Sequence, residues 1–124
     1  MTVMWVFLGG GLGSASRYLI GQWAAATLGV GFPYGTLIVN MAGCFALGLL
    51  VQVAVAGSWH GDVRAALAAG FLGGFTTYSS FNQETLTMFL NGASAAAALN
   101  VAVTLVGGLA AGALGLAAGR ILST

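Results

Sequence analysis

Apolar residues run almost unbroken along this chain, interrupted by three short gaps. Four long apolar segments stand out, at about 3–28, 34–56, 63–90 and 94–121. Each is near the roughly 20 residues that a helix needs to cross a bilayer. The gaps are Gly29-Val30-Gly31-Phe32-Pro33, Gly57-Ser58-Trp59-His60-Gly61 and Asn91-Gly92, all built from turn-forming residues. A membrane barrel would instead show alternating segments of about ten residues. The segments here are continuously apolar and rich in Ala, Leu and Gly. The pattern predicts an all-α integral membrane protein in which residues 1–124 form one domain of four transmembrane helices. No extramembrane domain is left for soluble chemistry.

Composition supports lipid as the main solvent. Of 124 residues, 59% are hydrophobic and 4% charged, with a mean hydropathy of +0.99. A soluble domain carries about 25% charged residues. The five charged side chains, Arg17, Arg64, Arg120, Asp62 and Glu84, could not cover a water-facing surface. The net charge of +1 is scattered, which excludes the basic stripe of a nucleic-acid binder. Cys44 is the only cysteine, so no intrachain disulfide forms, and it reads as a small packing residue. The first residues lack a basic region and an A-x-A-like cleavage site, so the first apolar segment is expected to remain as a membrane helix. Four spans put both termini on one side. Arg64 and Arg120 would lie on that side, which mildly favours termini inside. Arg17, within the first span, blurs this signal, and so thin a margin makes insertion in both orientations an expectation.

Glycine occurs 21 times. Gly9 and Gly13, Gly70 and Gly74, Gly108 and Gly112, and Gly115 and Gly119 are each four apart, a spacing that lets helix backbones approach closely in lipid. Packing within one bundle accounts for most of these. A chain this short still has little interior of its own, so a transport path is expected between subunits. The stretch Gly9–Ser16 is not a dinucleotide loop: Ser16 stands where the third glycine belongs, and no strand precedes it.

Polar groups inside apolar spans are costly unless satisfied, and so are the informative ones. In the second segment Thr36, Asn40 and Gly43 share a helix face. Asn40 can donate to an anion or tie helices together. In the third segment, Gly73-Gly74-Phe75-Thr76-Thr77-Tyr78-Ser79-Ser80-Phe81 makes a poor continuous helix. A broken helix frees backbone groups, which survive at depth only when buried in protein or lining a cavity. Half-helix ends are also ready ion sites, and a simple kink is the alternative. Beyond the break, Tyr78, Phe81 and Thr85 share one face, and Ser80 and Glu84 a neighbouring one. Glu84 could face water in a vestibule or pair with Arg17 or a partner's arginine. In the fourth segment Asn100 and Thr104, continued by Gly108, form a thin polar track that equally suits interhelical hydrogen bonding. Nothing resembles an enzyme site: His60 sits in a loop beside Trp59, and no zinc cluster or Ser-His-acid arrangement is present.

Three motifs carry a resemblance. They are Gly10-Gly11-x-Gly13-x-x-x-Arg17-Tyr18, then Gly35-Thr36-Leu37-x-Val39-Asn40-x-x-Gly43-x-Phe45-x-x-Gly48, then Gly70-Phe71-x-Gly73-Gly74-Phe75-Thr76-Thr77-Tyr78-Ser79-Ser80-Phe81-x-x-Glu84. In this order they resemble the Fluc (CrcB) fluoride channels over essentially the whole chain. The resemblance implies a bacterial inner-membrane, multi-pass protein that forms an antiparallel, dual-topology homodimer with two fluoride pores. It implies passive fluoride export that relieves toxicity, and a structural sodium ion (Na+) at the dimer interface. By that resemblance the sodium-binding carbonyls fall at Gly73 and Thr76. The pore aromatics fall at Tyr78 and Phe81, the pore asparagine at Asn40, and the hydroxyl track at Ser79, Ser80 and Thr104. The vestibule pair falls at Arg17 and Glu84. The chain departs from the family's pattern in three places: Tyr78 replaces a phenylalanine, Asn100 a common tyrosine, and Gly108 a common serine.

Two other readings compete. A small multidrug exporter shares length and topology but depends on a first-helix glutamate, where this chain has only Arg17. A membrane assembly subunit with no transport path would use its glycines and asparagines for packing alone.

Overall fold

The computed structural model describes residues 1–124 and is helical nearly throughout. Helix α1 spans Thr2–Leu28 and α2 spans Tyr34–Ala56. A third arm, α3, covers residues 61–75. It comprises an α-helical turn at Gly61–Ala65, a wider π-helical stretch at Ala66–Leu72, and a last turn at Gly73–Phe75. Helix α4 (Tyr78–Leu90) continues it after a break, and α5 spans Ser94–Leu122. The arms 61–75 and 78–90 together are the third of four helices, bent in the middle as the sequence predicts. Gly29 (φ 86°) ends α1 and Gly92 (φ 83°) turns the chain from α4 into α5, a backbone region in which side chains other than glycine are strained.

Two close helix pairs make the architecture: α2 against α5, and α1 against α3. Glycines at the crossings explain both. A Cβ on Gly13 would overlap the Phe71 carbonyl oxygen, one on Gly9 the Ala66 carbonyl, and one on Gly74 the Gly10 carbonyl. On the other pair, a Cβ on Gly48 would strike the Gly112 carbonyl and one on Gly115 the Phe45 carbonyl. Backbone-to-backbone approach of this kind maximises dispersion contact where the surrounding lipid removes any hydrophobic drive for helices to associate. The pairs join where Gly35 meets Gly21 and Gly43 meets Thr76. The Thr2 hydroxyl donates to the Asp62 carboxylate, tying the start of α1 to the start of α3.

The two pairs enclose very little. Only 14 of 124 residues are buried, so a single copy has almost no core. Large apolar side chains, including Phe7, Leu12, Leu90 and Leu109, point outward, as they do in a protein whose solvent is lipid. Helices α2 and α5 are long and apolar enough to cross a membrane, with mean hydropathies of 2.1 and 2.0. Helices α1 and α4 are more polar because they carry Ser14, Arg17, Gln22, Gln83 and Glu84. Of 100 backbone hydrogen bonds, 86 lie inside helices, so lipid-facing backbone satisfies itself.

The break also refines the sequence reading. Gly73 and Gly74 remain helical, and the chain leaves the helix at Thr76 and Thr77. Gly74 serves the α1 crossing, and the hydroxyl residues make the break.

Gly13→Ala, which places a methyl against the Phe71 carbonyl, is expected to lower stability by about 1–3 kcal/mol. Gly11 faces open space, so Gly11→Ala is expected to raise stability by about 0.5–1 kcal/mol through helix propensity. Thermal unfolding of both variants in detergent micelles checks the pair.

Candidate ion pathway at the broken helix

The break is built from side chains that compete with the helix for its own backbone groups. Thr76 closes α3: its N–H and its hydroxyl both donate to the Leu72 carbonyl, at 3.0 and 2.9 Å. Thr76 (φ −85°, ψ 158°) and Thr77 (φ −152°, ψ 116°) are then extended. Thr77 starts α4 as its N-cap, its Oγ1 accepting the Ser80 N–H at 3.2 Å, which satisfies one of the free donors of a helix start. Asn40, reaching across from α2, completes the junction. Its Nδ2 donates to the Thr77 carbonyl at 3.0 Å, and its Oδ1 accepts the Thr77 N–H at 2.8 Å. One side-chain amide thus replaces both helix partners of a single residue.

This junction changes the chemistry nearby. In a continuous helix the Thr77 N–H would bond the Gly73 carbonyl; here it goes to Asn40, and Gly73 lies exposed. The Thr76 carbonyl accepts only a long 3.4 Å contact from Arg17 Nη1. The Gly74 carbonyl accepts a 3.5 Å contact from Ser14. No cluster of three His, Cys, Asp or Glu side chains exists for a metal. The available cation donors are therefore hard backbone oxygens, of the type that suits a hard cation. The Gly73 and Thr76 carbonyls fit such an ion.

Three hollows surround the break. One, of about 350 Å³, lies between α2, the end of α3, α4 and α5 and is bordered by Asn40, Gly73, Thr76, Tyr78, Phe81 and Thr104. A second, of about 290 Å³, is lined on its polar side by Ser14, Arg17, Gln22, Thr36, Thr77 and Ser80. The third, also about 350 Å³, opens beside the first loop and holds Thr36, Gln83, Glu84 and Thr87. Thr77 borders the first two, and Thr36 the second and third. Hydroxyls cluster at the shared edge: Thr77 Oγ1 lies 3.1 Å from Ser80 Oγ and 3.3 Å from Ser79 Oγ. The Tyr78 and Phe81 rings are tilted by 56° with centroids 5.7 Å apart. Phe81 is buried, while Tyr78 is 77% exposed.

The sequence-predicted residues thus gather in groups. Asn40, Gly73, Thr76, Tyr78, Phe81 and Thr104 share one cavity; Arg17 and Ser80 share the next; Glu84 stands in the third. Ser79 lies exposed at the break. Arg17 and Glu84 do not meet: Arg17 reaches the Thr76 carbonyl, and Glu84 Oε1 accepts the Thr36 hydroxyl at 2.8 Å. The face Thr36-Asn40-Gly43 points as a unit at the third helix, on Glu84, Thr77 and Thr76 respectively. Sequence reasoning did not single out Thr77, the hinge of the junction. Its signal was a threonine three residues before Ser80 at a helix start.

These groups can do one kind of chemistry well. The second Nδ2 hydrogen of Asn40, the hydroxyls and the first amides of α4 are donors, which suit an anion. A tilted aromatic pair adds electropositive ring edges.

Known proteins are similar to this chain in sequence. Residues 4–116 match the family model described as "CrcB-like protein, Camphor Resistance (CrcB)". The chain belongs to the CrcB family. The chain is also similar to proteins named "Fluoride-specific ion channel FluC". The protein of that name from Sorangium cellulosum is 43% identical over 119 residues, covering 95% of this chain and 94% of the relative. One from Anaeromyxobacter dehalogenans is 50% identical over 107 residues, covering 86% and 85%. One from Thermus thermophilus is 48% identical over 87 residues, covering 70% and 68%. CrcB membership makes this a membrane protein and sets aside the multidrug-exporter reading.

Asn40→Leu, which strips both hydrogen bonds from the Thr77 peptide, is expected to cost about 1–3 kcal/mol for each group left unpaired. Thr77→Ala, which removes the cap and the contacts of that hydroxyl with Ser79 and Ser80 but leaves the Asn40 pairing in place, is expected to cost about 1 kcal/mol. Unfolding of the two variants in micelles would rank them in that order.

Proposed function

We propose that this CrcB protein is a passive, fluoride-selective ion channel that lets fluoride leave a bacterial cell across the inner membrane and so relieves its toxicity. The observation that carries the reading is the broken helix: a donor-rich junction of Asn40, Thr77, Ser79 and Ser80 beside the Tyr78–Phe81 pair. The names of the relatives supply the ion. Fluoride is small and strongly hydrated, so a pore must replace its water with donors. The free Asn40 hydrogen, the Ser79, Ser80 and Thr104 hydroxyls and the ring edges of Tyr78 and Phe81 are the donors assigned here. Arg17 supplies positive charge in the vestibule that gathers the anion. Glu84, bonded to Thr36 in the adjoining cavity, belongs to the same vestibule.

The channel works as a homodimer of two copies in opposite orientations, each spanning the membrane four times. Extended backbone at Thr76–Thr77 and the exposed Gly73, Tyr78 and Ser79 require protein cover at membrane depth, and a second copy provides it. The Gly73 and Thr76 carbonyls of both subunits would hold a structural sodium ion, whose charge would offset the cost of desolvating an anion nearby.

The reading is tested by fluoride efflux from liposomes containing the purified protein, followed with a fluoride electrode against a chloride control. Rapid fluoride release without chloride release is expected. Phe81→Ile is expected to slow it about tenfold, equivalent to about 1.4 kcal/mol of lost stabilisation for the ion. A folded dimer that passes no fluoride would leave the assembly-subunit reading in its place.

A further inference from the structure

Asn100 and Thr104 lie one turn apart on α5 yet do different things. Thr104 borders the cavity that Phe81 also borders; Asn100 does not. Asn100 is 1% exposed, the most deeply buried polar side chain in the protein. Its Nδ2 donates to Thr85 Oγ1 at 2.9 Å, and that hydroxyl donates to the Phe81 carbonyl at 2.7 Å. We infer that Asn100, acting through Thr85, is the positioning residue for Phe81, fixing α4 on α5 so that the Phe81 ring and Thr104 face each other across the cavity.

The chemistry gives this relay a direction. The Phe81 carbonyl can only accept, so the single Thr85 hydroxyl proton is committed to it. The lone pairs of Thr85 are then left for a donor, and the Asn100 amide is that donor. A shift of α4 along or around α5 would strand a buried amide, which costs far more than the bond itself is worth. The turn at Asn91–Gly92 already joins the two helices at one end. The relay adds a second fixed point further from that turn, at the level of Phe81. A threonine bonded back to the carbonyl four residues earlier also bends a helix slightly, and here that bond sits at the residue whose ring is to be placed. Asn100 thus touches no ion; its effect on conduction passes through Phe81.

The functional half of this inference rests on the channel reading, so two readouts are needed. Fluoride efflux is measured for Asn100→Leu, Thr85→Val, the double variant and Thr85→Ser, each first shown to form the dimer by gel filtration. Phe81 ring resonances are recorded in parallel on protein labelled at phenylalanine. Each apolar variant is expected to lose flux about tenfold and to shift the Phe81 ring signals. The double variant should be no worse than either single one, and Thr85→Ser, which keeps the hydroxyl, should behave as the parent. If Asn100→Leu will not fold, Thr85→Val and Thr85→Ser alone decide. Parental flux and unmoved Phe81 signals in Thr85→Val would overturn the inference, as would losses that multiply in the double variant. If the parent itself passes no fluoride, the channel reading fails, and the ring signals alone decide whether Asn100 positions Phe81.

Discussion

A peptide group without a hydrogen-bond partner is what a membrane interior tolerates least, and the bidentate pairing of Asn40 with Thr77 is how this protein breaks a helix there. Each unsatisfied backbone group in an apolar medium costs several kcal/mol. A break in mid-helix exposes several such groups at once. Thr76 bonds the Leu72 carbonyl in the last turn of the first half, Thr77 caps the Ser80 amide of the second, and Asn40 holds the Thr77 peptide between them.

The rest of the molecule serves that junction. Asn40 can reach Thr77 only because Gly43, one turn on, lets α2 lie against Thr76. The first half of the broken helix is seated on α1 by Gly9, Gly13 and Gly74, where carbonyl oxygens occupy the space of missing side chains. The second half is anchored to α5 by Asn100 through Thr85. Glycine contacts set distances between helices, and amide side chains set register. Neither produces a core in the usual sense: the buried side chains are few, and stability depends on surroundings that cover the outward apolar faces.

The polar groups released by the break are sorted by sign. Amide and hydroxyl donors gather around Thr77, Ser79 and Ser80, while the Gly73 and Thr76 carbonyls stand at the end of the first half. This follows from helix polarity alone, since a broken helix presents carbonyls from one half and amides from the other. Hydrogen-bond donors and carbonyl oxygens within a few residues of each other are two consequences of one break.

Much of this was legible in the sequence. Hydropathy alone determined four helices, because no other arrangement lets so few charged residues meet so much lipid. The run from Gly73 to Phe81 marked the break, since glycines and hydroxyls at depth have no reason to be there in a plain span. The face Thr36-Asn40-Gly43 was legible because helix periodicity fixes which side chains point together. Only the tertiary structure decided what each polar group does. It placed the break within that run at Thr76 and Thr77, and it gave Asn40 the Thr77 peptide as its partner. It separated Arg17 from Glu84 and removed Asn100 from the track that its spacing with Thr104 suggested. The physical reason is that spacing fixes a direction from one helix axis, whereas a hydrogen bond needs a partner at about 3 Å. That distance is set by how closely neighbouring helices pack, and here it depends on glycine contacts far apart in the chain.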